Sequence, residues 1–346
     1  MVVEKCDVAI IGGGIAGLSL AKFLAEKGIP FILFEEHTEF FKKPCGEGIL
    51  LKTLGYDFYE MYGSKKGIER EVWETNIYTK YGTISLEMPL AFSDKRAVEE
   101  ELAEQAKKQG EILMGEKVEK IKDGVILPQN IKPKIMVGAD GVYSIVRDYI
   151  GIRKPRCGMG VEAYSKEIDY DMDKCHIVLR DSLVKYGYAW YFPKKDKWNI
   201  GVGSGKRKYF QEAFKKFKAK HPEARKWRGA PVPLDKPPKP YGKNAILLGD
   251  AASHVYAAMG EGIMPSMIAA NIAADFIEKA SKQNFNEFDF RGFDETIKRK
   301  MGKYLKQSYN LQAFFFKVIK SEYIRHKLLE KVCREASEYY RKITKK

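Results

Sequence analysis

A glycine-rich turn near the start of the chain constrains the fold more than any other feature. Residues 7–11 (DVAII) form a short apolar run, and GGGIAG follows directly at residues 12–17. Residues 19–27 have the apolar spacing of a helix, and a second apolar run at residues 31–34 ends in Glu35. Strand, glycine turn, helix, strand and acid in this order are typical of the βαβ unit that binds the ADP half of a dinucleotide.

Each residue of this turn has an expected role in dinucleotide binding. Gly12 permits the tight turn, Gly14 lets the backbone approach a pyrophosphate, and Gly17 allows the helix to pack closely on the strand. The helix N-terminus offers free N–H groups to phosphate, and Glu35 stands where a carboxylate would bind ribose hydroxyls. The residues predicted to bind the dinucleotide in this unit are Gly12, Gly14, Ile15, Ala16, Gly17, Glu35 and Glu36.

Length, hydropathy and cysteine content limit the class of protein. The chain has 346 residues, enough for two domains or for one domain with an insertion. No apolar run is long enough to cross a membrane, and the first strand starts too early to follow a signal peptide. We therefore expect a cytoplasmic protein. Its five cysteines are scattered without a CxxC pair, which indicates neither a disulfide framework nor a metal site.

The strong positive charge suggests an anionic partner. The formal net charge is +15, and residues 291–346 contain sixteen Lys and Arg against six Asp and Glu. An anionic membrane surface or an acidic protein fits this balance, although a solvated lysine-rich surface is equally consistent with it. The sequence contains no recognisable nucleic-acid-binding module, so we do not expect nucleic acid as a partner.

A second motif, late in the chain, favours FAD over NAD as the dinucleotide. A buried strand predicted at residues 244–248 ends in Gly249 and Asp250 (GDAA), and the sequence GEGI at residues 260–263 opens a helix. The aspartate could bind a sugar-alcohol hydroxyl, and a helix N-terminus could stabilise the negative charge of a reduced flavin. FAD needs such a second contact for its ribityl–isoalloxazine half, whereas NAD does not.

The predicted elements indicate an α/β fold, α+β overall, in which a Rossmann-like FAD-binding domain is interrupted by an inserted antiparallel-sheet domain. Residues 72–79 and 83–88 predict a β-hairpin, residues 161–202 predict further strands, and residues 207–220 predict a helix. The expected division is an FAD-binding domain of residues 1–58, 94–156 and 241–282, a substrate domain of residues 59–93 and 157–240, and a basic helical segment of residues 283–346. Five prolines in residues 231–240 predict a stiff connector.

These motifs, together with KPCGEGI (43–49), GADGVYSIVR (138–147) and YGYAWYFP (186–193), resemble the geranylgeranyl reductase family of FAD-dependent oxidoreductases. That family has a para-hydroxybenzoate hydroxylase-like fold. The resemblance implies FAD contacts beyond the first turn from Cys45, Gly46, Gly48, Arg96, Asp140, Gly249, Asp250, Gly260, Glu261, Gly262 and Ile263. The sequence departs from the family pattern at Ser253–His254, and its C-terminal end is shorter than that of many members.

The resemblance also implies a substrate and a reaction. Tyr188, Trp190 and Phe192 would line an apolar tunnel for a prenyl chain, although an ordinary sheet core would look the same. The implied reaction hydrogenates isolated C=C bonds of geranylgeranyl-type chains on a lipid, quinone or related substrate. Because an isolated alkene is a poor hydride acceptor, we expect hydride transfer from flavin N5 to accompany protonation. The candidate catalytic residues are Cys45, Glu47 and His254, with Tyr188 as a further possible acid.

The electron donor and the membrane contact are separate expectations. Residues 201–205 (GVGSG) lack the spacing of a second nucleotide motif. Electrons are therefore expected from transiently bound NAD(P)H or from a ferredoxin-like protein. The basic C-terminal helices, with Phe314–Phe316, are hypothesised to dock on the inner face of the membrane as a peripheral contact, the alternative being a helical cap.

Two other functions stay open on the sequence. One is a flavin-dependent monooxygenase that hydroxylates an aromatic substrate within the same fold. The other is a non-catalytic, FAD-stabilised lipid-binding protein. Oxygen incorporation and flavin reoxidation by substrate would distinguish the three functions.

Overall fold

The computed structural model describes residues 3–344, which form two eight-stranded β-sheets, a two-stranded ribbon and surrounding helices. The strands are β1 (Glu4–Ile11), β2 (Ile32–Glu35), β3 (Gly48–Leu50), β4 (Lys52–Thr53), β5 (Tyr56–Asp57), β6 (Ile68–Thr79), β7 (Gly82–Ser93), β8 (Glu111–Met114), β9 (Lys120–Lys122), β10 (Val125–Leu127), β11 (Ile131–Gly138), β12 (Cys157–Ser165), β13 (Lys174–Val178), β14 (Gly187–Pro193), β15 (Trp198–Ser204), β16 (Arg225–Pro233), β17 (Tyr241–Gly242) and β18 (Ala245–Leu247). The α-helices are α1 (Ile15–Glu26), α2 (Phe58–Tyr62), α3 (Lys95–Ala106), α4 (Ile145–Tyr149), α5 (Arg207–Lys220), α6 (Ile263–Ser281), α7 (Phe290–Ile297), α8 (Lys303–Ala313) and α9 (Glu322–Thr344).

The first sheet is the predicted Rossmann-like sheet. Its main strand order is β17-β18-β11-β1-β2-β8, and β1 pairs in parallel with both β11 and β2. The inner strand β1 carries an unbroken buried run from Val8 to Ile11, as expected for a strand covered on both faces. Helices α1, α3 and α6 pack into one hydrophobic core against this sheet. The predicted fold class is confirmed.

The second sheet has the order β16-β12-β15-β14-β13-β6-β7-β3, and its pairs are antiparallel except for β13 with β6. The predicted hairpin is present as β6 and β7, and the helix predicted at residues 207–220 is α5. Strand β3 belongs to this sheet because it pairs with β7, although residues 1–58 were expected to lie in the FAD-binding domain. The loop at residues 43–49 therefore leads from the first sheet to the second.

The predicted proline connector is wrong in its first part. Pro231 and Pro233 lie within β16, which pairs with β12 along residues 157–164. Strand β16 is the edge strand of the second sheet, and an edge strand tolerates proline because one side of it needs no ladder hydrogen bonds.

The C-terminal helices pack on both parts of the structure, with α7 against α6 and β17 and α9 against the second sheet. Helix α9 packs on β7, where Cys333 is buried against Ile77 and Ile84. Turns of π-helix at Lys298–Gly302 and Phe314–Val318 flank α8. Every helix within residues 3–344 is too short or too polar to span a lipid bilayer.

Candidate active site

The glycine turn after β1 has the geometry that dinucleotide binding requires. Gly12 adopts a left-handed φ of 105°. A Cβ at Gly12 would lie 2.4 Å from the Ala139 carbonyl oxygen, and one at Gly17 would lie 1.9 Å from the Gly12 carbonyl oxygen. A Cβ at Gly14 would meet no atom within 4 Å, so this residue faces open space. Gly14 also precedes α1 without a side-chain cap, which leaves the helix N–H groups free for phosphate.

The acidic residues after β2 lie beside this turn. The Glu35 carboxylate accepts the backbone N–H of Gly13 at 2.7 Å and that of His37 at 2.9 Å. Glu36 is exposed and forms an ion pair with Lys117 at 3.6 Å. Glu35 is therefore held at the rim of the open space, whereas Glu36 faces outward.

The late GDAA motif reaches the same place. Gly249–Ala252 forms a 3₁₀ turn, and a Cβ on Gly249 would lie 2.7 Å from the Cβ of Ala16 at the start of α1. The Asp250 carboxylate forms an ion pair with Lys43. The structure thus brings the GDAA motif against two segments that lie more than two hundred residues earlier in the chain.

The turn before α6 meets the aromatic strand β14. The Tyr188 hydroxyl donates to the Met259 carbonyl, and a Cβ on Gly260 would lie 3.3 Å from the Tyr188 oxygen. Gly262 directly precedes α6. The Glu261 carboxylate accepts the Met264 N–H at 2.9 Å through one oxygen, and burial raises the pKa of Glu261 to about 7.

The aromatic side chains of β14 form a continuous row under the 43–49 loop. The ring centroids of Tyr188 and Trp190 are 6.1 Å apart, and those of Trp190 and Phe192 are 6.0 Å apart. A Cβ on Gly46 would lie 2.8 Å from the Phe192 ring, and one on Gly201 would lie 2.1 Å from the Trp190 ring. Glycines on both sides of the row therefore give the large rings room to lie flat.

Cys45 lies in this loop as a protonated thiol. Its sulfur accepts the Glu47 N–H at 3.3 Å, and its carbonyl accepts from the Asn199 side chain at 3.0 Å. Burial raises the pKa of the Cys45 thiol above its usual range, and nearby Lys95 opposes this effect. Cys45 is thus fixed at the site, but without the low pKa of a nucleophilic cysteine.

Glu47, a further predicted catalytic residue, lies in a buried network of hydrogen bonds. Its side chain is 1% exposed. The carboxylate accepts hydrogen bonds from the Tyr164 hydroxyl at 2.6 Å and from Asn199 at 3.1 Å, and it forms an ion pair with Lys194 at 3.2 Å. Through these contacts with Tyr164, Asn199 and Lys194, Glu47 anchors the 43–49 loop on the second sheet.

The structure does not support His254 as an acid. Its side chain is fully buried, and neither ring nitrogen has a hydrogen-bond partner in the described part of the chain. Burial lowers the pKa of His254 to about 4, although Asp250 opposes this shift. The imidazole is therefore neutral near pH 7.

Two other predicted contacts have structural partners of their own. Arg96, at the start of α3, forms an ion pair with Glu39 at 3.3 Å, and its side chain is largely exposed. One oxygen of Asp140 accepts the Ile145 N–H at 2.7 Å, so this residue caps α4. Burial raises the pKa of Asp140 to about 6.

One buried acid was missed by the sequence reasoning. Glu162 lies on β12 directly opposite Gly201, which in turn is opposite Trp190, so Glu162 and Trp190 share one face of the sheet. The sequence shows only an isolated glutamate in a strand, and the strand alternation of residues 161–168 is the one signal that could have placed it on this face.

The residues at the site fit FAD. Gly14 leaves open space at an uncapped helix N-terminus, as a pyrophosphate requires. Buried polar atoms of Asp140 (Oδ1), Ser253 (Oγ) and Glu261 (Oε2) also have no hydrogen-bond partner within residues 3–344. Over the same residues, no group of three or more His, Cys, Asp or Glu side chains is placed to hold a metal ion.

Comparison with known proteins identifies the family of the chain. The sequence profile of the FAD binding domain family matches residues 5–231. The chain is 26% identical to digeranylgeranylglycerophospholipid reductase 1 of Methanosphaera stadtmanae, over 89% of this chain and 82% of the relative. It is 28% identical to the digeranylgeranylglycerophospholipid reductase of Methanosarcina acetivorans, over 78% of this chain and 74% of the relative.

Solved structures show the same fold. A geranylgeranyl bacteriochlorophyll reductase-like protein from Thermoplasma acidophilum has a TM-score of 0.82 at 21% identity, covering 97% of this chain and 92% of that one. PqsL, a probable FAD-dependent monooxygenase from Pseudomonas aeruginosa, has a TM-score of 0.71 at 16% identity, covering 94% and 100%. The predicted FAD cofactor and the resemblance to the geranylgeranyl reductases are confirmed, and the chain belongs to the FAD binding domain family as an FAD-dependent oxidoreductase.

Proposed function

We propose that this protein hydrogenates isolated C=C bonds in geranylgeranyl-type chains of a polar lipid. The observation that carries the proposal is the aromatic row of Tyr188, Trp190 and Phe192, which starts at the Gly260 turn and runs under the 43–49 loop. An apolar row of this kind suits a flexible hydrocarbon chain. The names of the relatives support a digeranylgeranyl glycerophospholipid as the substrate.

The protein side of the reaction is to bind the chain, exclude water and supply a proton. Reduced FAD supplies the two electrons that alkene hydrogenation requires. Trp190 is held by a hydrogen bond from its indole N–H to Asn199 at 2.9 Å, and Phe192 packs on Phe92 with ring centroids 5.0 Å apart. Rigid rings of this kind would fix the alkene and keep water from it. Cys45 stays our candidate for the residue nearest the reacting bond.

A single-turnover experiment tests this function. Bound FAD is reduced with dithionite without oxygen, a digeranylgeranyl glycerophospholipid is added, and reoxidation is followed by absorbance while the lipid is analysed by mass spectrometry. We expect reoxidation and a gain of two hydrogens for each bond reduced. Cys45→Ala is expected to slow the reaction about tenfold or more with FAD still bound, and Cys6→Ala, on β1, is the control. A hydroxylated product formed with oxygen, or no reoxidation, would contradict the proposal.

We also propose that the helical elbow, defined as residues 314–324, docks on an anionic membrane surface. Four of its side chains are about half exposed or more: Phe314 (49%), Val318 (62%), Tyr323 (52%) and Ile324 (55%). Phe315 is buried and Phe316 is half-buried, so only the first residue of the phenylalanine triplet faces outward. Exposed apolar side chains next to Lys317 and Lys320 suit the interface of an anionic bilayer.

For the electron donor, we propose a small acidic protein. Residues 201–204 lie in β15, where Gly201 makes room for the Trp190 ring, so the GVGSG sequence is not a nucleotide-binding turn. The net charge of +15 favours an acidic partner over a neutral one.

A further inference from the structure

The buried acid Glu162 has an unusual position for a carboxyl group. It is 2% exposed and shares a sheet face with Trp190, because both residues stand opposite Gly201. The Trp190 ring extends across that glycine toward β12, where a Cβ on Gly160 would lie 3.7 Å from it. Glu162 therefore lies beside the aromatic row, on the side of the sheet that faces the 43–49 loop.

The two oxygens of Glu162 have different surroundings. Arg228 contacts Oε1 through Nε at 2.9 Å and through a terminal nitrogen at 2.7 Å. Oε2 is buried and accepts no hydrogen bond from the described residues. An ionised carboxylate would leave this oxygen buried without a donor, whereas a protonated one carries its own hydrogen there.

The charges around Glu162 also favour one bound proton. Ion pairs link three cations with four carboxyl groups under the 43–49 loop: Lys95, Lys194 and Arg228 with Glu47, Glu69, Glu99 and Glu162. A single proton therefore neutralises the cluster. Lys194 contacts Glu47 and lies 2.9 Å from Oε2 of Glu69, and Lys95 contacts Glu99, whereas Arg228 contacts Glu162 at its other oxygen, Oε1.

The pKa of Glu162 also agrees with a proton bound to its carboxyl group. Burial raises the pKa of Glu162 to about 7; Glu47 adds to the shift, and Arg228 and Lys194 oppose it. Tyr164, on the same strand, donates its hydroxyl to Glu47 and stays protonated because burial raises its pKa. An acid with a pKa near the working pH can both give and regain a proton.

We propose that Glu162 is the acid that protonates the alkene in the reaction proposed above. The Glu162 O–H bond breaks, and its proton forms a new C–H bond with one alkene carbon. Bound reduced FAD would supply the hydrogen and both electrons that the other alkene carbon gains, and would itself be oxidised. Arg228 stabilises the resulting carboxylate. The Arg228 side chain is partly exposed, so solvent returns a proton to Glu162 from that side.

Glu162→Gln tests this role because glutamine keeps the size of the side chain and an oxygen acceptor for Arg228. Infrared titration of the FAD-bound oxidised protein is expected to show a carboxylic acid C=O band that disappears as the pH rises through about 7 and that is absent in the variant. In the single-turnover assay, we expect lipid-dependent reoxidation to fall about 100-fold with FAD binding unchanged. The wild-type rate should fall as the pH rises through the same range, and the variant should lose this dependence.

Two controls make the outcomes decisive. Glu167→Gln changes an exposed carboxyl outside this cluster and is expected to keep both the infrared band and the rate. Glu162→Asp keeps an acid and is expected to restore part of the rate. A wild-type rate in Glu162→Gln, or a variant that keeps every carboxylic acid band of the wild type that titrates near neutral pH, overturns the role of Glu162. A wild-type enzyme that is not reoxidised by the lipid overturns the proposed function and this role with it.

Discussion

At the scale of single residues, burial decides which candidate acid can hold a proton near neutral pH. Glu47 accepts hydrogen bonds from Tyr164 and Asn199, and His254 is fully buried, which favours the neutral form of its imidazole. Glu162 is buried with one unpaired oxygen, which favours its protonated form. All three residues can be read from the sequence, but their hydrogen-bond partners cannot, so residue type and loop position pointed to Glu47 and His254 and not to Glu162.

The buried His254 gives a pH prediction whose sign can be worked out. Its pKa is about 4 in the folded protein against 6.5 for a histidine in the unfolded chain, so its contribution to stability is present above pH 6.5 and lost as the pH falls toward 4. The His254→Leu variant does not lose stability in this way, because leucine does not titrate. Relative to the difference at pH 8, we expect the variant to gain about 2–3 kcal/mol over the wild type by pH 4.5. Urea unfolding of both proteins at the two pH values measures the change, and a pH-independent difference would show that His254 titrates normally.

At the scale of elements, the exposed side chains of the helical elbow lie on both sides of a helix break. Phe314 and Val318 end one helical segment, and Tyr323 and Ile324 begin α9. The sequence predicted helices and charge here, but it could not show which phenylalanine faces outward. That depends on packing, since Phe315 is buried and the Phe316 ring is 6.5 Å from the Tyr186 ring.

The elbow makes a prediction about membrane binding. Replacing Phe314, Val318 and Ile324 with serine removes three apolar side chains from the proposed interface, each worth on the order of 1 kcal/mol when partly buried in lipid. We expect sedimentation with phosphatidylglycerol-containing vesicles to weaken about 100-fold, and weak binding of the wild type to pure phosphatidylcholine. Tyr339→Ser, at another exposed residue of α9, is the control. Equal binding by the triple variant would rule out the elbow as the contact.

At the scale of the whole molecule, the site forms where distant segments of the chain meet. The βαβ unit could be predicted in detail because its strand, turn and helix are consecutive, and Gly12, Gly14 and Gly17 have the conformations and contacts expected of them. The contact between Ala16 and Gly249, and the position of β3 in the second sheet, depend on long-range packing. No local pattern in the sequence encodes such contacts, so the motifs were identified but their arrangement was not.

The net charge of the whole molecule leads to the last prediction, which concerns the electron donor. If a small acidic protein reduces the FAD, long-range attraction accelerates the encounter, and salt screens it because the Debye length shortens to a few ångströms. We expect the reduction rate by a reduced acidic iron–sulfur protein, followed by stopped-flow absorbance, to fall about tenfold between ~50 mM and ~500 mM NaCl. Lys317→Glu with Lys320→Glu lowers the net charge from +15 to +11, so we expect it to slow this reduction as well as to weaken vesicle binding. Rapid, salt-independent reduction by NADPH would contradict the prediction, since a small bound nucleotide does not depend on long-range steering by the surface.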